Sequence, residues 1–178
     1  MKIIDHNGEG SWSKESIIER YSRYCRELKV QNPLDLSPVE HTEGETKWIY
    51  PVMDKVIEGI EGGDAACRRL GIEFIEEDRK FTFGKVLKSN TARALRRSDL
   101  TPEEQDRIRR RLIDMLLAGN VPHEYKQYAK LLKKIGLGPL RDEIEVGVDR
   151  ANQFVMRYYD YLTAGEQPVA AERRSLVS

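Results

Sequence analysis

TARALRRSDL at residues 91–100 and YAKLLKKIGL at 128–137 carry one pattern twice. Ala92 answers Ala129, Arg93 answers Lys130, and Leu95 answers Leu132. Arg96 and Arg97 answer Lys133 and Lys134, and Leu100 answers Leu137, always 37 residues apart. Apolar positions recurring every three or four residues mark each copy as one face of a helix. Two such helices at a fixed distance leave room for a second helix and two turns between them. That spacing constrains the chain more than any other feature, because a helical hairpin cannot bury its apolar faces alone and is stable only when stacked on its neighbours.

The flanking sequence fits the same design. In SWSKESIIERYSRYCREL, Ile17, Ile18, Tyr21, Tyr24, Cys25 and Leu28 fall at helical spacing, with Ser13 as the N-cap. Residues 31–46 form a long acidic connection, in which Ser37-Pro38-Val39-Glu40 is suited to one short helical turn. A helix is expected from about 47 to a stop at Gly62-Gly63, followed at once by Asp64 as the cap of the next. A third covers about 84–97. Thr101-Pro102-Glu103-Glu104 opens a fourth with a capping box, and Gly119-Asn120 closes it. The fifth has His123 in its first turn and stops at Gly136. One long last helix is expected from Gly138-Pro139, with Leu140, Ile144, Val148, Ala151, Phe154, Val155, Tyr158 and Leu162 in register. Only the first four residues offer any strand-like alternation.

Helix starts near 47, 84 and 122 therefore head three antiparallel hairpins. The domain plan is an N-terminal helix and loop over 1–46, three hairpins over 47–163, and a frayed tail over 164–178. This arrangement resembles the HEAT-like α-α repeat family. Pro51 stands where many units of that family carry a proline, although the other two pairs lack one and the family's Asp and Arg positions between helices are not evident. The resemblance implies an all-α fold of about seven helices in a short right-handed superhelix; a non-repeating helical bundle is the alternative.

Chemistry-bearing patterns are sparse. There is no nucleophile elbow, no phosphate-binding glycine loop and no dinucleotide fingerprint. His6, His41 and His123 stand far apart, and His41-Thr42-Glu43-Gly44-Glu45 has no second cluster to complete a metal site. No cofactor or metal is expected, and Cys25 and Cys67 read as reduced core residues. Glu73, Glu76, Glu77 and Asp78 read as the solvated end of a helix. MKIIDHNGEG lacks the apolar region of a signal peptide and no stretch is long enough to span a bilayer, so the chain reads as cytoplasmic.

Charge is more informative. The total is zero and mean hydropathy is −0.62. Yet residues 79–134 hold fifteen Lys/Arg against six Asp/Glu, a local net of +9 that the rest of the chain must balance. At about 100° per residue, Lys126, Lys130, Lys133 and Lys134 share one side of their helix, with Tyr125, Tyr128, Ala129, Leu132 and Ile135 opposite. Arg93, Arg96 and Arg97 repeat those angles. Stacked hairpins merge the two faces into one basic strip. The strip is either a solvated face or a docking site, first of all for the acidic surface of a partner protein. Nucleic acid is the alternative, since HEAT-like DNA-repair glycosylases hold DNA on basic helical surfaces, but no aromatic residues are interleaved with these cations to stack bases. Leu95 and Leu132 hold equivalent apolar positions. Changing either to Ala is expected to lose about 2–5 kcal/mol of stability if it lies in the core, as read by denaturant unfolding.

Overall fold

The structure, a computed structural model, describes residues 1–165. In chain order it runs β1 (Lys2–Asp5), α1 (Lys14–Glu27), β2 (Glu40–Glu43), β3 (Thr46–Ile49), α2 (Val52–Glu61), α3 (Ala65–Glu77) and α4 (Gly84–Arg97). After these come α5 (Pro102–Leu117), α6 (Tyr125–Ile135), α7 (Arg141–Gly147) and α8 (Gln153–Thr163). Most helix boundaries follow from local chemistry. Ser13 Oγ accepts the Ser16 N–H at the start of α1, and Asp64 Oδ1 accepts the Cys67 N–H at the start of α3. Thr101 and Glu104 form the reciprocal capping box of α5. Gly63 and Gly119 turn the chain with φ of +86° and +71°, angles that favour glycine.

The fold is mainly helical but not all-α. A small mixed sheet of order β1-β3-β2 stands on the N-terminal side, with β1 parallel and β2 antiparallel to β3. The acidic connection thus contains a hairpin rather than a helical turn at Ser37–Glu40. Its two-residue loop is Gly44-Glu45, with Gly44 at φ +58°. Thr46, Lys47, Trp48 and Ile49 belong to β3, and α2 begins only after Pro51. Helix starts at Val52, Gly84 and Tyr125 do not keep the even spacing expected of them. The sheet nevertheless serves the helices: Asn7 Oδ1 accepts the Val52 N–H at the head of α2, and Asp5 pairs with Lys14 of α1.

The helices pack in two rows. In one, α2 lies against α4 and α4 against α6; in the other, α1 lies against α3, α3 against α5, and α5 against α7 and α8. Across the rows α2 meets α3, α3 meets α4, and α5 meets α6. Ala92 and Leu95 of α4 and Ala129 and Leu132 of α6 are buried at the contact between the two echoed helices. The expected long last helix is instead broken. Val148 turns extended after α7, Asp149 Oδ1 accepts the Ala151 N–H, and Asn152 Oδ1 accepts the N–H groups of Phe154 and Val155 to restart the chain as α8. Of the expected tail, residues 166–178 lie outside those described.

Two glycines set how closely the centre packs. A Cβ at Gly59 of α2 would overlap Cys67 Sγ and stand 2.9 Å from Leu34 Cδ1. At Gly71 of α3 it would stand 2.6 Å from Ile60 Cδ1 and 3.1 Å from Thr91 Cγ2. Helix propensity alone favours Ala over Gly by about 1 kcal/mol, whereas overpacking a buried contact costs about 1–3 kcal/mol. Because Cys67 is fully buried on a helix, the steric term is the larger. Gly59→Ala is expected to lower the denaturation midpoint rather than raise it, and a stabilised variant in urea unfolding would refute this packing account.

Candidate functional site

The seven cations expected to form one basic strip have separate uses. Arg97 pairs with Glu61 at the end of α2, at 3.0 Å. Its counterpart Lys134 donates to the Arg96 carbonyl at the end of α4. The repeat therefore has a mechanical basis: equivalent cations tie each helix to the C-terminus of the preceding one in its row, where the exposed carbonyls attract positive charge. Lys133 donates to the Leu162 and Ala164 carbonyls at the end of α8. Arg93 donates to Asn90 Oδ1. Arg96, Lys126 and Lys130 have no side-chain partner among the described residues. Arg93, Arg97, Lys126 and Lys134 are exposed, while Arg96, Lys130 and Lys133 are half-buried. The wider basic count also included Lys88 and Arg109, both of which are buried.

Lys126 and Lys130 face a groove between α6 and α8. Its remaining lining is Ala129, Arg157, Tyr158 and Tyr161, and it encloses about 140 Å³. Arg157 is exposed and has no partner among the described residues. Three cationic side chains thus contribute to the wall of a shallow, mainly apolar groove, and none of its described lining residues is a carboxylate. The wall is held in place from behind. Tyr158 stands edge-on to the buried Tyr125 ring at 4.9 Å, and Val155 and Leu162 anchor α8 in the core. Lys133 clamps the end of α8 and its ammonium lies 5.8 Å from the Tyr161 ring centre. Such an arrangement can bind an anion without first ordering the cations' helices.

The larger hollows are less selective. One of about 500 Å³ lies under residues 29–37, against the core side chains of Ile18, Tyr21, Cys25 and Leu36. Another of about 680 Å³ mixes Asp5 and Glu9 with Arg79 and Lys80. Burial pushes the thiols of Cys25 and Cys67 above their ordinary range, so neither is poised as a nucleophile. His41 stacks on Trp48 of the sheet, His6 meets Phe83 edge-on at 5.0 Å, and His123 is exposed in the turn before α6 rather than within its first turn. Among the described residues no three His, Cys, Asp or Glu side chains converge as metal ligands do.

A second charged group is buried. Lys88, only 3% exposed, pairs with Asp78 at 2.5 Å and faces Glu124 at 3.9 Å, while Arg111 approaches Asp78 from α5 at 3.8 Å. Glu124 Oε2 and the Tyr128 hydroxyl have no hydrogen-bond partner among the described residues. Burial, with Asp78 and Glu124 nearby, pushes the Tyr128 phenol well above its ordinary range and keeps it neutral. This cluster joins α3, α4, α5 and α6 and reads as structural.

Arg157, Tyr158 and Tyr161 were not legible as site residues in the sequence. Along the expected unbroken helix Tyr158 counted as core. Phe154, Arg157, Tyr158 and Tyr161 share one face at i, i+3, i+4 and i+7, and α8 packs so that Phe154, Arg157 and Tyr161 are exposed and Tyr158 is half-buried. Aromatic rings do therefore accompany the cations, contributed by a different helix. No protein-family model, no curated protein and no solved structure matches the chain, and no described helix is long and apolar enough to cross a membrane.

The two kinds of cation should separate in stability measurements. Lys88→Met leaves the buried Glu124 and the one-fifth-exposed Asp78 without their ammonium and is expected to lose about 3–5 kcal/mol. Lys126→Met is expected to stay within about 0.5 kcal/mol of the unchanged protein. Equal losses in denaturant unfolding would contradict this division.

Proposed function

We propose that the protein is a macromolecular interaction module that holds an acidic segment of a partner protein in the groove between α6 and α8. The observation that carries this reading is that Lys126, Lys130 and Arg157, none with a partner among the described residues, line one groove whose described lining holds no carboxylate. Unpaired cations held on a fixed wall favour an anionic partner and steer its approach. Arg97, Lys133 and Lys134 are engaged within the fold and Arg96 lies outside the groove lining, so the charge at the groove itself comes from three side chains. Compact charge fits a few carboxylates better than the long backbone of a nucleic acid. Tyr158 and Tyr161 also suit the contact, since amphipathic aromatic side chains add contact area at little entropic cost.

The module is read further as a short right-handed α-α superhelix of the HEAT-like type. Support comes from the successive packing of α2, α4 and α6, and from the equivalent ties made by Arg97 and Lys134. Its two unpaired, buried cysteines fit a reducing compartment, and the reading assigns it to the cytoplasm. The cation–tyrosine groove also favours a second reading, single-stranded nucleic acid stacked on Tyr161. A short fluorescent poly-glutamate peptide and an oligonucleotide of equal charge distinguish the two between about 50 and about 200 mM salt. Preferential binding of the peptide, lost when Lys126, Lys130 and Arg157 are all changed to Glu, is expected. Tighter oligonucleotide binding with a steep salt slope favours nucleic acid, and binding of neither probe refutes both readings.

A further inference from the structure

The groove carries more positive charge than a single carboxylate can neutralise. Resting on its reading as a site for an acidic protein segment, we propose that its preferred occupant is a phosphorylated side chain of that segment. Lys126, Lys130 and Arg157 bring three positively charged side chains to the lining of this groove, and none of its described lining residues is acidic. A glutamate brings one negative charge to this hollow, whereas a phosphomonoester brings about −1.5 to −2 at pH 7 and three acceptor oxygens. The three cations repel one another until an anion arrives, so the more highly charged group relieves more of that repulsion.

Donor geometry points the same way. The groove is small and open to solvent, so a phosphoryl group can reach its wall. Arg157 presents a planar fork that can bind two phosphoryl oxygens together, and the two lysines act as point charges on the others. The hydroxyls of Tyr158 and Tyr161 make no hydrogen bond with a described residue and are free to donate. Phe154, 63% exposed, lies on the same face of α8 as Arg157, Tyr158 and Tyr161. It offers an apolar contact to residues flanking the phosphorylated one.

Three fluorescent peptide pools that share acidic flanks and differ only at one central residue, phosphoserine, glutamate or serine, test the assignment. The phosphoserine pool is expected to bind about tenfold more tightly than the glutamate pool, the effect of roughly one additional charge-assisted contact. Lys130→Met and Arg157→Met are expected to abolish that preference while keeping the melting temperature within a few degrees. Equal binding of the phosphoserine and glutamate pools overturns the phosphate assignment and leaves the acidic-segment reading standing; failure of both pools overturns the two together. Preference retained in both variants shows that the phosphate sits elsewhere. Tighter binding to vesicles containing phosphatidic acid than to the phosphoserine pool overturns the assignment to a protein segment.

Discussion

Four carboxylates at the end of α3 hold the structure together by pairing with side chains of α1, α4, α5 and the turn before α1. Glu73 accepts from Arg20 and the Tyr24 hydroxyl of α1, at 2.6 and 2.7 Å, and from Arg69 of its own helix. Glu77 accepts from the buried Trp12 indole at 2.7 Å, and the Arg20 guanidinium covers that ring at 4.4 Å. Glu76 takes both ends of the Arg107 fork from α5, and Asp78 takes Lys88 from α4 and Arg111 from α5. Hydrogen bonds to charged groups contribute about 1.5–3 kcal/mol when shielded, against about 0–1 for exposed ion pairs. Several of these are shielded: Arg20 and Glu73 are each about one-seventh exposed. Cys67, Leu70, Ile72, Phe74 and Ile75 of α3 lie in the core, so this one helix sets the orientation of three others.

That arrangement determines which cations remain for binding. The row containing α3 continues outward through Arg68 with Glu104 and Arg110 with Glu143, and its arginines are largely paired. In the other row, cations close to helix C-termini are used to join α2 to α4, α4 to α6, and α6 to α8. Lys130 and Lys126 lie one and two turns earlier on α6. They have no partner among the described residues, and Arg157 of α8 lines the same groove. The proposed binding surface is thus what remains of the basic face after the fold has used its share.

Local chemistry made much of this legible in advance. The caps Ser13, Asp64 and Thr101, the bounds of α4, and the burial of Leu95 and Leu132 each depend on a few neighbouring residues, and the structure agrees with them. Where it differs, the cause lies at longer range. Strand β2 is polar and exposed throughout, and β3 buries only Ile49 fully, so their pairing left no apolar alternation to read. The break before α8 rests on side-chain bonds of Asp149 and Asn152, which compete with a helical register that the apolar spacing favours. The carboxylates of α3 were expected at a solvated end; their partners lie on other helices, and no spacing within α3 announces them. Lys126 and Lys130 were legible as site residues from helical phase, but Arg157 became visible only with the packing of α8 on α6.

The central claim is that the fold uses most of its basic face internally and leaves one anion-binding groove between α6 and α8. Amide chemical-shift mapping of the intact chain during titration with the acidic peptide tests it most directly. The expected shifts centre on Lys126, Lys130, Arg157, Tyr158 and Tyr161 and spare Arg97 and Glu61, whose pairing belongs to the fold. Shifts centred on α4, on the sheet, or under residues 29–37 would contradict the account.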